Sequence, residues 1–241
     1  MSTDPSAAQG VISALHRGGS RLNHAVYDRL KERLLEGRYA AGGPLSTEAL
    51  RTEFGVSRQP VMEALRRLSA DGLVEIMPQV GCRVREYSQR DVSDFFVMFG
   101  GFEGTIAGIA ALRRTPEQLR ELHNVSSHID ALRSNPDGAE RSAGYRIFNR
   151  RFHQVIHEMA HSRIVSDTSH RMWDLSDFLI NTAGTPQPLS SALDDRHADH
   201  ERIRAALIAG DNELARAEME RHIMTTVDVI HAERGAANLA G

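Results

Sequence analysis

The chain has 241 residues, enough for one large or two modest domains. With 41% hydrophobic residues, 25% charged residues and only 8 prolines, it is neither disordered, collagen-like nor low-complexity. The formal net charge of −3 argues against a uniformly basic nucleic-acid binder, but residues 1–90 carry 13 Arg/Lys against 10 Asp/Glu, while residues 91–241 carry 16 against 22.

Residues 1–20, rich in Ser, Gly and Ala, read as a flexible N-terminal arm. Met1–Gly10 lacks the basic-then-apolar order of a signal peptide, and no run of about 18 uncharged apolar residues is seen, so neither export nor a membrane partner is expected. Cys82, the one cysteine, has no internal disulfide partner, which fits a cytoplasmic location. From Ala25, the residues Val26, Leu30, Leu34 and Leu35 fall at helical spacing, and Gly37 closes that helix. After a loop over Ala40–Pro44, Ser46 or Thr47 caps a short helix through Leu50 and Phe54, ended by Gly55. Ser57 caps a third helix whose Val61, Ala64, Leu65 and Leu68 follow i, i+3, i+4, i+7, closed by Gly72. Leu73–Ile76 and Cys82–Arg85 alternate apolar and polar around Met77–Gly81, the pattern of a β-hairpin. Beyond Ser88 the chain reads as about six helices, with breaks near Thr115–Pro116, Ser134–Gly138, His161–Ser162, Gly184–Pro188 and Gly210–Asp211. The fold class is mainly α: a three-helix domain with a hairpin over residues 21–87, then an all-α bundle over residues 92–233.

A short helix, a tight turn at Gly55 and a second amphipathic helix opening with Ser57-Arg58-Gln59 form the layout of a helix-turn-helix. The apolar stripe fastens the second helix and leaves Arg58, Gln59, Met62, Arg66 and Arg67 on other faces. Arg bonds guanine bidentately, Gln bonds adenine, and Ser57 with the free amides of the helix start suits a phosphate. The hairpin tip at Gln79–Gly81, flanked by Arg83 and Arg85, makes a wing.

The run Gly55-Val56-Ser57-Arg58-Gln59-Pro60-Val61-Met62-Glu63-Ala64-Leu65, continued by Leu68-x-x-Asp71-Gly72-Leu73-Val74 and Pro78-Gln79-Val80-Gly81, resembles the winged helix-turn-helix of GntR-family transcriptional regulators over about residues 23–86. The resemblance implies that Arg58, the residue at position 62 and Gly81 approach DNA. Position 62, usually Arg in that family, is Met here.

The acidic part holds ten of the 12 histidines. Asn149 and His153 stack one turn apart on a helix, whereas His157 and His161 drift progressively round it. His200 and His222 lie in two helices broken at Gly210–Asp211, so an antiparallel return brings them level, and one amide oxygen and three imidazoles can converge inside a bundle. On spacing alone, each histidine is equally well a surface or hydrogen-bonded core residue. Trp173, Asp177 and Asn181 share a helical face, as core or as pocket lining.

Phe148-Asn149-x-x-Phe152-His153, Asp199-His200-x-x-Ile203 and Gly210-Asp211-x-x-x-Ala215-x-x-x-Met219-x-x-His222 together resemble the FCD ligand-binding domain of FadR-like GntR regulators. The resemblance implies a divalent metal held by Asn149, His153, His200 and His222. Asn in place of the family's frequent Asp removes a negative charge and favours Zn or Ni over Mg or Ca. Phe99 stands where the family often places an effector-binding Arg, which points either to a less acidic effector or simply to core packing, and Gly100-Gly101 beside it is unusual inside a helix. The function expected is a metabolite-responsive repressor that binds a palindromic operator as a homodimer and is not an enzyme. The alternatives are a metal-dependent hydrolase using the histidine cluster, which lacks a His-Glu-x-x-His pattern, and a ligand-free dimerisation bundle.

Overall fold

The computed structural model describes residues 19–182, 189 and 192–240, which divide into two compact units between Glu86 and Tyr87. Residues 1–18 of the expected arm, and the expected break at Gly184–Pro188, lie outside the described residues.

The first unit is built from α1 (Gly19–Leu35), β1 (Pro44–Leu45), α2 (Thr47–Phe54), α3 (Arg58–Ala70), β2 (Val74–Met77) and β3 (Gly81–Val84). Helix α1 starts at Gly19, six residues before the first periodic residue at Ala25 and inside the expected arm. Once Val26, Leu30 and Leu34 are buried, each residue added ahead of them costs little, because propagation is easier than nucleation. Ser46 caps α2 by accepting the Ala49 amide at 3.2 Å, and Gly55 ends it in the left-handed region at φ 63°. Pro60, third in α3, is tolerated because amides of the first turn have no intrahelical partner. Val61, Ala64, Leu65 and Leu68 are all buried, as their spacing requires.

The hairpin β2–β3 forms with Ile76 opposite Cys82, and Gln79 at φ 63° turns the loop. Pro44, read from the sequence as the end of a loop, pairs together with Leu45 as an edge strand on β3, giving a three-stranded antiparallel sheet of order β1-β3-β2. Two residues are too few to show a period of two, and Pro at the edge forfeits no ladder hydrogen bond that the sheet needs.

The second unit contains α4 (Gln89–Arg113), α5 (Pro116–Leu132), α6 (Gly138–Met159), α7 (Arg163–Asn181), α8 (Leu193–Ala209) and α9 (Asn212–Ala240). Caps set the boundaries: Ser88 with Asp91 and Thr115 with Gln118 form reciprocal capping boxes, Asp137 accepts the Ala139 and Glu140 amides, and Gly210 closes α8 at φ 73°.

Helix α4 is the core of this unit. It is long and apolar enough to cross a membrane, with an 18-residue window of mean hydropathy 1.6, although Glu103 keeps it from being a wholly uncharged run. Its Phe96, Phe99, Ile106, Ala107 and Ala110 are buried within the unit, and the charge interrupting the run, Glu103, is buried with them. Gly104 and Gly108 of α4 have a packing cause. A Cβ on Gly104 would lie 2.9 Å from the Arg216 carbonyl, and one on Gly108 would lie 3.1 Å from that of Asn212, so α9 lies directly against the α4 backbone. Phe99 packs edge-on to Trp173 with ring centroids 5.2 Å apart, filling the place of the expected guanidinium with core.

Candidate nucleic-acid interface and metal centre

In the first unit, the start of α3 is open. Ser57 occupies the N-cap in extended conformation without a side-chain capping bond, and Ser57, Arg58 and Gln59 are exposed. The first-turn amides of Arg58 and Gln59, Pro60 having none, and three hydrogen-bonding side chains therefore lie at this open end. Met62 is half-buried and its Sδ lies 3.9 Å from the Thr47 hydroxyl, so it sits against α2. Arg66 is exposed, with Glu63 at 3.5 Å. Arg67, grouped above with the free faces, instead covers the Tyr27 ring at 3.7 Å, while the Tyr27 hydroxyl donates to Asp71 at 2.6 Å; this cluster ties α3 to α1. On the wing, Gly81 is exposed at φ 137°, Val80 is 77% exposed, and Arg83 pairs with Glu75 at 2.8 Å across β2–β3.

In the second unit, α6, α8 and α9 bring His153, His200 and His222 together. One ligand atom from each lies within 4.8 Å of the others, and all three side chains are buried. The carboxylates behind them decide which nitrogens face inward. His153 Nδ1 donates to Glu103 Oε2 at 3.2 Å, which leaves the lone pair on Nε2, and that atom has no hydrogen-bond partner among the described residues. His222 Nδ1 donates to Asp199 Oδ2 at 3.2 Å, which leaves its Nε2 lone pair 3.2 Å from His200 Nε2. Asp199 is itself held by Arg202. Burial lowers the pKa of His153 and pushes those of His200 and His222 well below the ordinary imidazole value; neighbouring rings and Arg196 add to the latter two. All three are kept neutral, the state that binds a metal.

Glu103 is the hub. Burial alone would raise its carboxyl, but His157 and His153 override that and hold it down at about 2. It accepts His157 Nε2 at 2.9 Å and Trp173 Nε1 at 3.1 Å in addition to His153. The residues fit a metal ion: three buried neutral imidazoles, two orphaned buried ring nitrogens (His153 Nε2 and His200 Nδ1), and carboxylates fixing the tautomers of His153 and His222. Asn149 lies one turn before His153 on α6, half-buried, with its Oδ1 accepting the Tyr145 hydroxyl at 3.0 Å.

Sequence spacing did not find Glu103, His157, Trp173 or Arg196 as parts of this centre. Arg196 is buried, bonded to Thr225, Thr226 and the His222 carbonyl at 2.8, 2.8 and 2.6 Å, and lies 3.4 Å from His222 Nε2. Glu103 had a legible signal, as the one carboxylate within the apolar stretch Phe95–Leu112 of α4.

Comparison with known proteins agrees with both units. Residues 22–84 match the model of bacterial regulatory proteins of the gntR family, and residues 94–225 match the FCD domain. The chain is 26% identical over 215 residues to the "Probable D-xylose utilization operon transcriptional repressor" of Paenarthrobacter nicotinovorans, covering 89% of this chain and 91% of that protein. It is 24% identical over 210 residues to the HTH-type transcriptional repressor GlaR of Escherichia coli, covering 85% and 93%. Among solved structures, E. coli McbR/YncC superposes with a TM-score of 0.72 at 21% identity, covering 87% of this chain and 97% of that one, which supports the fold. GntR regulators bind DNA, and FCD domains bind small-molecule effectors and often a metal; the class is regulatory, not enzymatic. The chain belongs to the GntR family of bacterial regulatory proteins, as a DNA-binding transcriptional regulator whose second unit is an FCD domain.

Proposed function

We propose that this regulator is a metabolite-responsive repressor that binds a palindromic operator as a homodimer, in the cytoplasm where that DNA lies. The observation that carries the DNA-reading part is the open first turn of α3, with Ser57, Arg58 and Gln59 exposed on a helix whose opposite face is anchored. Arg58 and Gln59 read base edges, Ser57 and the free amides hold a phosphate, and Arg66 and the wing at Gly81 contact the backbone. Met62 gives an apolar contact where relatives of this family place a guanidinium, so the preferred half-site differs at that position. One recognition helix touches too few base pairs for selectivity, so two half-sites about one helical turn apart are needed. Exposed Val97 and Met98 on α4 supply apolar surface for pairing two chains.

His153, His200 and His222, with Asn149, hold a divalent ion, Zn or Ni in preference to Mg or Ca, because the donors are imidazoles and a neutral amide. When bound, the ion supplies a Lewis-acid point for an oxygen of the effector. Glu103 and Asp199 orient the imidazoles, and Arg196 keeps a positive charge beside His222. An anisotropy titration on the DNA upstream of the regulated genes tests the reading: tight, salt-sensitive preference for one palindrome is expected, and equal affinity for scrambled DNA would overturn it.

A further inference from the structure

We propose that Arg196 is a specificity-determining residue of the metal centre, a resident cation that competes with the ion for the Nε2 lone pair of His222 and so sets how tightly a divalent metal is held. This rests on the metal reading above and adds to it a residue that opposes the ion.

The lone pair has two claimants. His222 Nδ1 gives its proton to Asp199 Oδ2, so Nε2 is the acceptor of the ring. Arg196 Nη2 approaches that atom at 3.4 Å, and a guanidinium has only N–H donors to offer it. One lone pair cannot serve an N–H and a metal at once. Nor is Arg196 free to withdraw: it is buried, with Nη1 donating to Thr225 Oγ1 at 2.8 Å and Nη2 donating to the His222 carbonyl and Thr226 Oγ1 at 2.6 and 2.8 Å. An ion on Nε2 therefore displaces the Arg196 contact and sits beside a fixed positive charge.

The surrounding charges do not cancel that cost. Asp199, the one carboxylate paired with Arg196 among the described residues, stands 3.9 Å from Nη1, already accepts His222 Nδ1 and is shared with Arg202. Glu103 is committed to His153, His157 and Trp173. No other carboxylate contacts the three imidazoles among the described residues. Two guanidinium charges thus already face two carboxylates, and a divalent ion on neutral donors adds two positive charges with no anion to match them. In a low-dielectric core that repulsion is strong, and it scales with the charge of the ion.

The test is calorimetric titration of the metal-stripped full chain with zinc(II) and with silver(I), in chloride-free buffer, beside Arg196→Met and Arg196→Gln. Both replacements remove the charge, and Thr225 and Thr226 still donate to the His222 carbonyl; melting curves check that each variant folds. Zinc affinity is expected to rise about tenfold or more in both variants, and silver affinity by roughly the square root of that factor, because a monovalent ion feels half the repulsion. Unchanged or weaker zinc binding in a folded variant overturns the proposal and leaves the metal reading standing. An equal gain for both ions marks relief of crowding rather than of charge, and also overturns it. No zinc bound by the native chain or by either variant overturns the metal reading and this inference with it.

Discussion

His153 Nδ1 donates to Glu103 Oε2 at 3.2 Å, and this contact between α6 and α4 determines which nitrogen of His153 faces His200 and His222. A buried carboxylate that accepts three N–H groups stays ionised, and an imidazole held by it keeps one tautomer.

Glu103→Gln therefore leaves the packing volume nearly unchanged but weakens the orientation of His153. Metal affinity should fall about 10- to 100-fold, the usual cost of losing an outer-shell partner. Competition against a chromophoric chelator measures it; unchanged affinity would show that Glu103 serves only the core.

The metal-free protein should lose stability in acid in two stages. His153, His200 and His222 have folded pKa values below their unfolded value of 6.5, so their contribution is complete above that pH and declines as the unfolded chain takes up protons below it. Glu103, lowered from 4.5 to about 2, extends the decline through that lower window. Urea midpoints in EDTA at neutral pH and below pH 6 should differ in that direction; equal midpoints would contradict buried neutral imidazoles.

Two neighbouring glycines of α4 should respond oppositely to alanine. A Cβ at Gly104 meets the Arg216 carbonyl at 2.9 Å, so Gly104→Ala pushes α9 away and costs about 1–3 kcal/mol. A Cβ at Gly101 meets nothing within 4 Å, so Gly101→Ala is expected to stabilise the helix by about 0.5–1 kcal/mol. Thermal unfolding of the two variants distinguishes them.

The same comparison shows what was legible in the sequence. The stripe Val61/Ala64/Leu65/Leu68 and the wing alternation are local periods, so they survive translation into structure. His153, His200 and His222 were reachable because a helical turn and the antiparallel return at Gly210 place them by short-range geometry. Glu103 is 50 residues from His153 and 70 from Trp173, and no periodicity links such positions. Gly100 looked irregular for the same reason: its cause, the backbone of α9 at Glu220, lies over 100 residues away. The edge strand at Pro44–Leu45 exists only through pairing with β3, and Arg67 left the free face only because Tyr27 on α1 receives it.

Arg58→Ala should cost about 1–3 kcal/mol in DNA binding and relax specificity at one operator position, whereas Arg66→Ala should weaken all sequences alike and reduce the salt slope by about 1. Binding to a panel of single-base operator variants separates the two. A uniform loss for Arg58→Ala would make it a phosphate contact.

Cys82 is buried in β3, and burial pushes its thiol up to about 11. A thiol-reactive chromophore at neutral pH should leave it untouched in the native protein and label it once urea unfolds the first unit; rapid native labelling would contradict the packing of the sheet.

The most direct test of the account is metal content by elemental analysis of the native protein beside His200→Ala and His222→Ala, each checked for folding by its melting curve. About one zinc or nickel ion per chain is expected in the native protein, with loss of that ion from both folded variants. Full retention of the metal in both variants would contradict a centre built on His153, His200 and His222.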